Sequence, residues 1–222
     1  MVISRESAIR TLSEIRQAAQ ETGIYPYVTL GYGTLLGMIR ENDFIPHDDD
    51  LDIVILADHV TAEQEEAYLK RLMDFGLFKK RHKIRRRHDT GRLLWTSMKR
   101  TGKDTKCCTW YFQRYDKYYF HGKGKDWILG KIGPRLEPPL NPTFHAVLKG
   151  IPAYLYDHLI EREFQGMKFM IPTQYGQILD RWYPSFSVPR KNCSSWEDML
   201  LIIPDWKDAK HWYMRKREHR YF

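Results

Sequence analysis

Between Ile45-Pro46 and the apolar run Ile53-Val54-Ile55-Leu56 the chain places Asp48-Asp49-Asp50-Leu51-Asp52, four carboxylates in five residues. Four consecutive apolar residues beside a turn read as a buried strand. A solvated acidic loop has no reason to run straight into such a strand, because this sets Asp52 at or inside it, where an unpaired charge is expensive. Strand side chains alternate faces with a rise of about 3.3 Å per residue, so Asp48, Asp50 and Asp52 are expected on one face, ~6.6 Å from neighbour to neighbour. Two anions at that spacing repel by ~2.5 kcal/mol at an effective dielectric of about 20, and a divalent cation reverses the sign. The cluster is therefore read as an oxygen-ligand site for Mg²⁺ or Mn²⁺. The plainer alternative is a solvated acidic turn that starts a strand without any metal.

A chain of 222 residues can bury the core of one large domain or two small ones. We expect one domain over 1–222, with a core of about 1–120 and a C-terminal part of about 121–222. A net charge of +8 and a pI near 9.3 imply a phosphate-bearing partner: a nucleotide, a nucleic acid or an anionic membrane surface. The charge is spread over Lys79 to Arg87, Lys99 to Lys106, Lys117 to Lys131 and Lys207 to Arg220, which suits basic walls around an acidic metal cluster. Of three cysteines, Cys107 and Cys108 are adjacent, which rules out an ordinary disulfide framework and favours a reducing compartment. No zinc spacing is present; His82, His88 and His121 lie around the pair, but scattered histidines in a basic segment are more often surface residues. There is no apolar window of about 18 residues, and the N-terminus carries Arg5, Glu6 and Arg10 instead of a secretory h-region. A cytoplasmic protein is expected, with the aromatic and basic stretch Asp205 to Phe222 either docked on the domain or in peripheral contact with a membrane.

Along the chain, Ser4 caps a predicted first helix with Ala8, Leu12, Ile15 and Ala19 at helical spacing and Gly23 as its stop. A strand Tyr27 to Leu30, the glycine turn Gly31-Tyr32-Gly33-Thr34 and a short helix from Leu35 to Arg40 follow. Such a turn offers backbone N–H groups and a helix N-terminus to an anion. The acidic strand leads to a helix from about Thr61 to Phe75, opened by the capping box Thr61-x-x-Gln64. Leu77 to Arg87 and Arg92 to Lys99 read as a hairpin, and Cys108 to Tyr115 as a further strand. His121 to Lys125 and Pro134 to Pro142 read as loops, Ala153 to Ile160 as either helix or strand, and Glu161 to Ile171 as a hairpin turning at Gln165-Gly166. Thr173 is the expected cap of a last helix with Tyr175, Ile178, Leu179 and Trp182, ended by Pro184.

Two segments carry a resemblance. Gly33-Thr34-Leu35-Leu36-Gly37-Met38-Ile39-Arg40, with Phe44-Ile45-Pro46-His47-Asp48-Asp49-Asp50-Leu51-Asp52-Ile53, closely resembles the signature of the LicD family, which includes the fukutin-related proteins. Phe164-Gln165-Gly166-Met167-Lys168-Phe169-Met170-Ile171-Pro172 and Leu179-Asp180-Arg181-Trp182-Tyr183-Pro184 resemble its C-terminal strand and closing aromatic segment. The resemblance implies an α/β (α+β) chain: a nucleotidyltransferase-like mixed sheet flanked by helices, with a C-terminal extension. It also implies a metal-dependent transferase that moves a substituted phosphate from a CDP-activated donor, such as CDP-choline or a CDP-alditol, to a hydroxyl of a glycan or lipid-linked glycan, releasing CMP. By the same resemblance Asp48, Asp50 and Asp52 become metal ligands, with Asp50 and Asp52 catalytic. Gly33 and Thr34 become phosphate-turn residues, and Arg40 a phosphate or structural anchor.

One departure stands out. The family often carries an aspartate in a mid-chain strand, and the comparable stretch here, Cys108-Thr109-Trp110-Tyr111-Phe112-Gln113, has no carboxylate. Asp116, Asp157, Glu161 and Glu163 are the candidates for a third acid, each equally readable as a surface residue. Tyr111, Tyr115, Tyr118 and Tyr119 either stack bases or sugars or form a plain aromatic core. The rival functions are a nucleotidyltransferase that releases pyrophosphate from an NTP and a basic nucleic-acid- or glycan-binding module without turnover. A nucleic-acid module leaves the acidic strand unexplained.

Overall fold

The computed structural model describes residues 4–46, 48–77, 84–86, 90–99, 106–115, 118–120, 128–130, 145–183, 185–189 and 200–203. Helix α1 (Arg5–Glu21) starts on Ser4, whose hydroxyl accepts the Ser7 N–H at 3.5 Å, and it buries Ala8, Leu12, Ile15 and Ala19 as the spacing predicts. Strand β1 (Val28–Leu30) leads into helix α2 (Tyr32–Arg40), then strand β2 (Asp50–Leu56) and helix α3 (Ala62–Asp74). The reciprocal capping box of Thr61 and Gln64 opens α3.

Two boundaries differ from expectation for local reasons. Helix α2 begins at Tyr32 instead of Leu35, with extended Gly31 as its N-cap, so Gly33 and Thr34 lie within the first turn of the helix. Strand β2 begins at Asp50 because the Asp48 N–H donates to the Ile45 carbonyl at 3.0 Å and closes a turn. Asp48 thus approaches the site from a turn and not from the strand's face.

Strands β3 (Arg85–Arg86) and β4 (Leu93–Lys99) pair antiparallel as the expected hairpin, and β5 (Lys106–Tyr115) covers the expected aromatic strand. Then come β6 (Tyr118–Phe120), β7 (Ile128–Gly130), β8 (His145–Pro152), β9 (Leu159–Phe164) and β10 (Met167–Pro172). Helix α4 (Tyr175–Trp182) and β11 (Leu200–Ile203) complete the described elements. Ala153–Tyr156 forms a short 3₁₀ turn before β9. The β9–β10 hairpin turns at Gln165 and Gly166, both at positive φ (53° and 74°), as its two-residue loop requires. Helix α4 is preceded by Gln174 without a side-chain cap; the Thr173 N–H instead donates to the His158 carbonyl at 2.9 Å and holds the end of the hairpin. The predicted loops at 121–125 and 134–142 and the basic segment 205–222 lie outside the described residues.

The strands form a mixed sheet whose central part runs β4-β5-β2-β1-β10-β9. Strand β2 lies parallel to β5 and β1 parallel to β10, while β2 and β1 are antiparallel. The core is built on Ile53, Val54 and Ile55 of β2, Tyr111 and Phe112 of β5, and the apolar faces of α1, α3 and α4. Tyr111 and Tyr119 are fully buried there, so those two tyrosines follow the core reading instead of offering stacking surfaces. Among the described residues no helix is long and apolar enough to cross a membrane.

Candidate active site

The carboxylates gather where β2 leaves the turn at Asp48 and passes the N-terminus of α2. Gly33 makes this approach feasible: a Cβ there would lie 2.3 Å from Asp48 Oδ2 and 3.7 Å from Asp52 Oδ2. Its neighbour Tyr32 has φ 38°, uncommon for a bulky side chain, and its ring stacks on Trp182 at 4.1 Å between centroids. That strained residue lets the first turn of α2 press against β2 while the aromatic stack holds it in place.

Asp52 is held from several sides. Its Oδ1 accepts the Trp110 indole N–H at 2.9 Å, its carboxylate accepts the Gly33 backbone N–H, and its own N–H donates to Thr34 Oγ1 at 2.8 Å. Gly33 and Thr34, read from the sequence as phosphate-turn residues, both contact Asp52 in this arrangement. Arg40 sits at the other end of α2, about 10 Å along the axis from Gly33. It donates to Glu41 Oε1 at 2.6 Å and to the Phe186 carbonyl at 3.4 Å, outside the carboxylate cluster.

Parallel pairing of β2 with β5 sets Asp50 beside Lys106 and Asp52 beside Cys108. Lys106 Nζ lies 2.7 Å from Asp50 Oδ2 and 3.5 Å from Asp49 Oδ1, and the Cys108 thiol donates to Asp50 Oδ2 at 3.2 Å. Lys106, Cys108 and Trp110 escaped the sequence reading as site residues. What could have revealed them is the alternation Lys106, Cys108, Trp110, which puts all three on one face of a strand facing the acids. Of the candidate third acids, Asp157, Glu161 and Glu163 are exposed; Glu161 accepts from Tyr25 Oη at 3.0 Å on β9, separated from β2 by β1 and β10. Asp116 and His47 lie outside the described residues.

Charge crowding is visible in the acids' proton affinities. Burial, then the Asp50 charge, pushes the Asp48 carboxyl up to about 6. The same two causes raise Asp52 well above the ordinary carboxylate range, against the lowering pull of Trp110 and Gly33. Burial works to lower the Lys106 ammonium, but its hydrogen bond to Asp50 and the nearby negative charge outweigh it. Burial and Asp50 likewise raise the Cys108 thiol, and burial pushes Cys107 up to about 12. Ligand atoms of Asp48, Asp49 and Asp50, and of Asp50, Asp52 and Cys108, lie within 4.8 Å of one another. Crowded acids around a glycine that clears space for them fit a divalent cation, which relieves the repulsion raising their pKa values.

The fold is an α/β domain, a mixed sheet flanked by helices, with an acidic cluster where β2 passes the N-terminus of α2. Residues 27–132 match the family model described as LicD/FKTN/FKRP, nucleotidyltransferase domain, in agreement with the resemblance carried by the glycine turn and the acidic segment. No curated protein matches the sequence. Among solved structures, the crystal structure of ANT(2″)-Ia in complex with adenylyl-2″-tobramycin aligns with 82% of this chain and 80% of its own, at 13% identity and a TM-score of 0.37. A likeness that slight carries no argument about fold or activity.

Proposed function

We propose that the protein moves a substituted phosphate, of the phosphocholine or alditol phosphate type, from a CDP-activated donor to a hydroxyl of a glycan or lipid-linked glycan, with Mg²⁺ or Mn²⁺ held by Asp48, Asp50 and Asp52. The observation that carries this reading is the convergence of the carboxylates on Gly33, with Asp48 and Asp52 both raised above their ordinary range by burial and by Asp50. A bound divalent cation would shield the diphosphate oxygens and stabilise the departing nucleotide.

The chain's own residues set the geometry. Trp110, Gly33 and Thr34 hold Asp52 in one orientation, so little reorganisation is needed when a donor arrives. Lys106, beside Asp50, supplies a positive charge that can face the donor's diphosphate. In the step itself the acceptor oxygen bonds to the phosphorus adjoining the transferred group, the bond from that phosphorus to the bridging oxygen of CMP breaks, and the hydroxyl proton is released.

The test is a screen of CDP-, UDP- and NTP-type donors with Mg²⁺ and Mn²⁺, following nucleotide release in the presence of glycan acceptors. CMP release from a CDP donor supports the proposal. Pyrophosphate release from an NTP transfers the site to the rival nucleotidyltransferase reaction, and nucleic-acid binding without turnover or metal dependence overturns the enzyme reading.

A further inference from the structure

The geometry points to Lys99 as a residue that binds the donor's diphosphate, standing across β5 from the carboxylates. This assignment deepens the transferase reading and rests on it. Strand register places the residue. Antiparallel pairing of β4 with β5 sets Trp95 against Trp110, Ser97 against Cys108 and Lys99 against Lys106. Parallel pairing of β5 with β2 continues the same rows to Val54, Asp52 and Asp50.

One face of the sheet therefore carries three rows, and the row at its end reads Lys99, Lys106, Asp50. Side-chain contacts show that the face is shared. Cys108 Sγ lies 3.2 Å from Asp50 Oδ2 and 3.8 Å from Ser97 Oγ, and the rings of Trp95 and Trp110 stand 6.0 Å apart. The other face of β4 is core, where Thr96 and Met98 are buried. Lys99, two residues beyond Ser97, thus lies on the carboxylate side of the sheet, where it is partly buried.

Charge gives this row its meaning. Residues directly opposite on an antiparallel pair have Cβ atoms about 4.5–5.5 Å apart, and like charges there are destabilising. Lys106 is compensated by Asp50 at 2.7 Å and Asp49 at 3.5 Å. Lys99 has no carboxylate partner among the described residues. A like-charged pair with one unmatched member is a local conflict of the kind that functional sites retain, and a bound anion resolves it. Neighbouring strands lie about 4.8 Å apart, so the backbone of Lys99 stands ~10 Å from that of Asp50, with Lys106 between them. An anion reaching from a cation on Asp50 to the flexible stem of Lys99 must be extended, as a diphosphate is. With that cation in place Asp50 no longer needs Lys106, and both ammonium groups are free to meet the phosphate oxygens. A neutral glycan hydroxyl offers them nothing to neutralise, so the row is assigned to the donor.

The experiment titrates CDP and CMP by calorimetry, in saturating Mg²⁺, into the full chain as wild type, Lys99→Gln and Lys99→Arg. Lys99→Gln is expected to weaken CDP by about 10- to 100-fold, the usual effect of losing a hydrogen bond to a charged group, and to weaken CMP much less. Lys99→Arg, which keeps the charge, should stay near wild type. The nucleotide-free Lys99→Gln protein should melt no lower than wild type, because a repulsive pair has been removed; a merely structural lysine would show the reverse. Wild-type CDP affinity in Lys99→Gln overturns the inference and leaves the transferase reading standing. Equal losses for CDP and CMP, or a Lys99→Arg variant as weak as Lys99→Gln, overturn it as well. A wild-type chain that binds neither nucleotide overturns the CDP-donor reading together with it. Should Lys99→Gln not fold, Lys99→Ala takes its place, and failure of both to fold assigns Lys99 to structure and overturns the inference.

Discussion

Gly33 has no room for a side chain, since a methyl group there would collide with Oδ2 of Asp48 at 2.3 Å. Gly33→Ala is expected to displace Asp48 and weaken divalent cation binding by about 10- to 100-fold, with the far-ultraviolet spectrum retained; unchanged affinity by calorimetry would separate Asp48 from the site. The raised acids also predict a pH effect of definite sign. Asp48 titrates in the folded protein near 6, above its unfolded value of about 3.9, so between those values the folded state holds the extra proton. Its contribution to stability therefore falls as pH rises through that window and levels off above it. Thermal unfolding of metal-free wild type relative to Asp48→Asn should show this decline, whereas a difference curve that climbs with pH contradicts it. On the proposed reading added Mn²⁺ binds the ionised acids, so it should remove the decline. At this scale the sequence revealed the acids, because their alternation and the apolar run beside them are local. Lys106, Cys108 and Trp110 stayed hidden because only parallel pairing across a long stretch of chain brings them to Asp50 and Asp52.

Elements are locked by polar ties that periodicity does not disclose. Glu65 of α3 is 1% exposed, and Arg92 grips it with Nε at 3.0 Å and Nη2 at 2.7 Å while also donating to the carbonyls of Ala57 and Val60. Arg92→Ala leaves that carboxylate buried without its counter-charge, with the Leu93 N–H at 3.2 Å still donating to it, and it should cost about 3–5 kcal/mol in denaturant unfolding. A change within experimental error would show that Glu65 is relieved in another way. Thr34→Val removes the acceptor of the Asp52 N–H; the expected loss is about 1–3 kcal/mol, together with a fall in cation affinity as β2 loosens from α2. The helices were legible because caps and apolar spacing are written in neighbouring residues, as in the Thr61–Gln64 box. The start of β2 was not, because the Asp48-to-Ile45 turn depends on a backbone hydrogen bond that competes with strand extension. Strand β8 also escaped, since its pairing partners β6, β7 and β11 are distant in sequence or short.

Across the whole molecule, the two sequence motifs far apart in the chain prove to be one structural unit. Thr29 of β1 pairs with Met170 of β10, Phe44 packs edge-on against Phe164 at 5.3 Å, and Gln165 Nε2 donates to Asp43 Oδ1 at 2.9 Å. Arg5 adds an ion pair to Asp43, tying α1 to the same junction, and Trp182 stacks on the strained Tyr32. The C-terminal motif thus holds the frame against which Gly33 and Asp52 are set. Trp182→Ala should cost about 3–5 kcal/mol and lower transfer even in the molecules that remain folded; full specific activity in that variant would uncouple the stack from the site. Everything proposed for the reaction depends on whether the acids of β2 and its leading turn hold a cation. The most direct test is Mn²⁺ binding, followed by electron paramagnetic resonance, in wild type, Asp50→Asn and Asp52→Asn, with folding checked by thermal unfolding. The account predicts that wild type binds Mn²⁺ and that both variants fold but lose the bound signal, along with CMP release. Undiminished Mn²⁺ binding in both variants would contradict it.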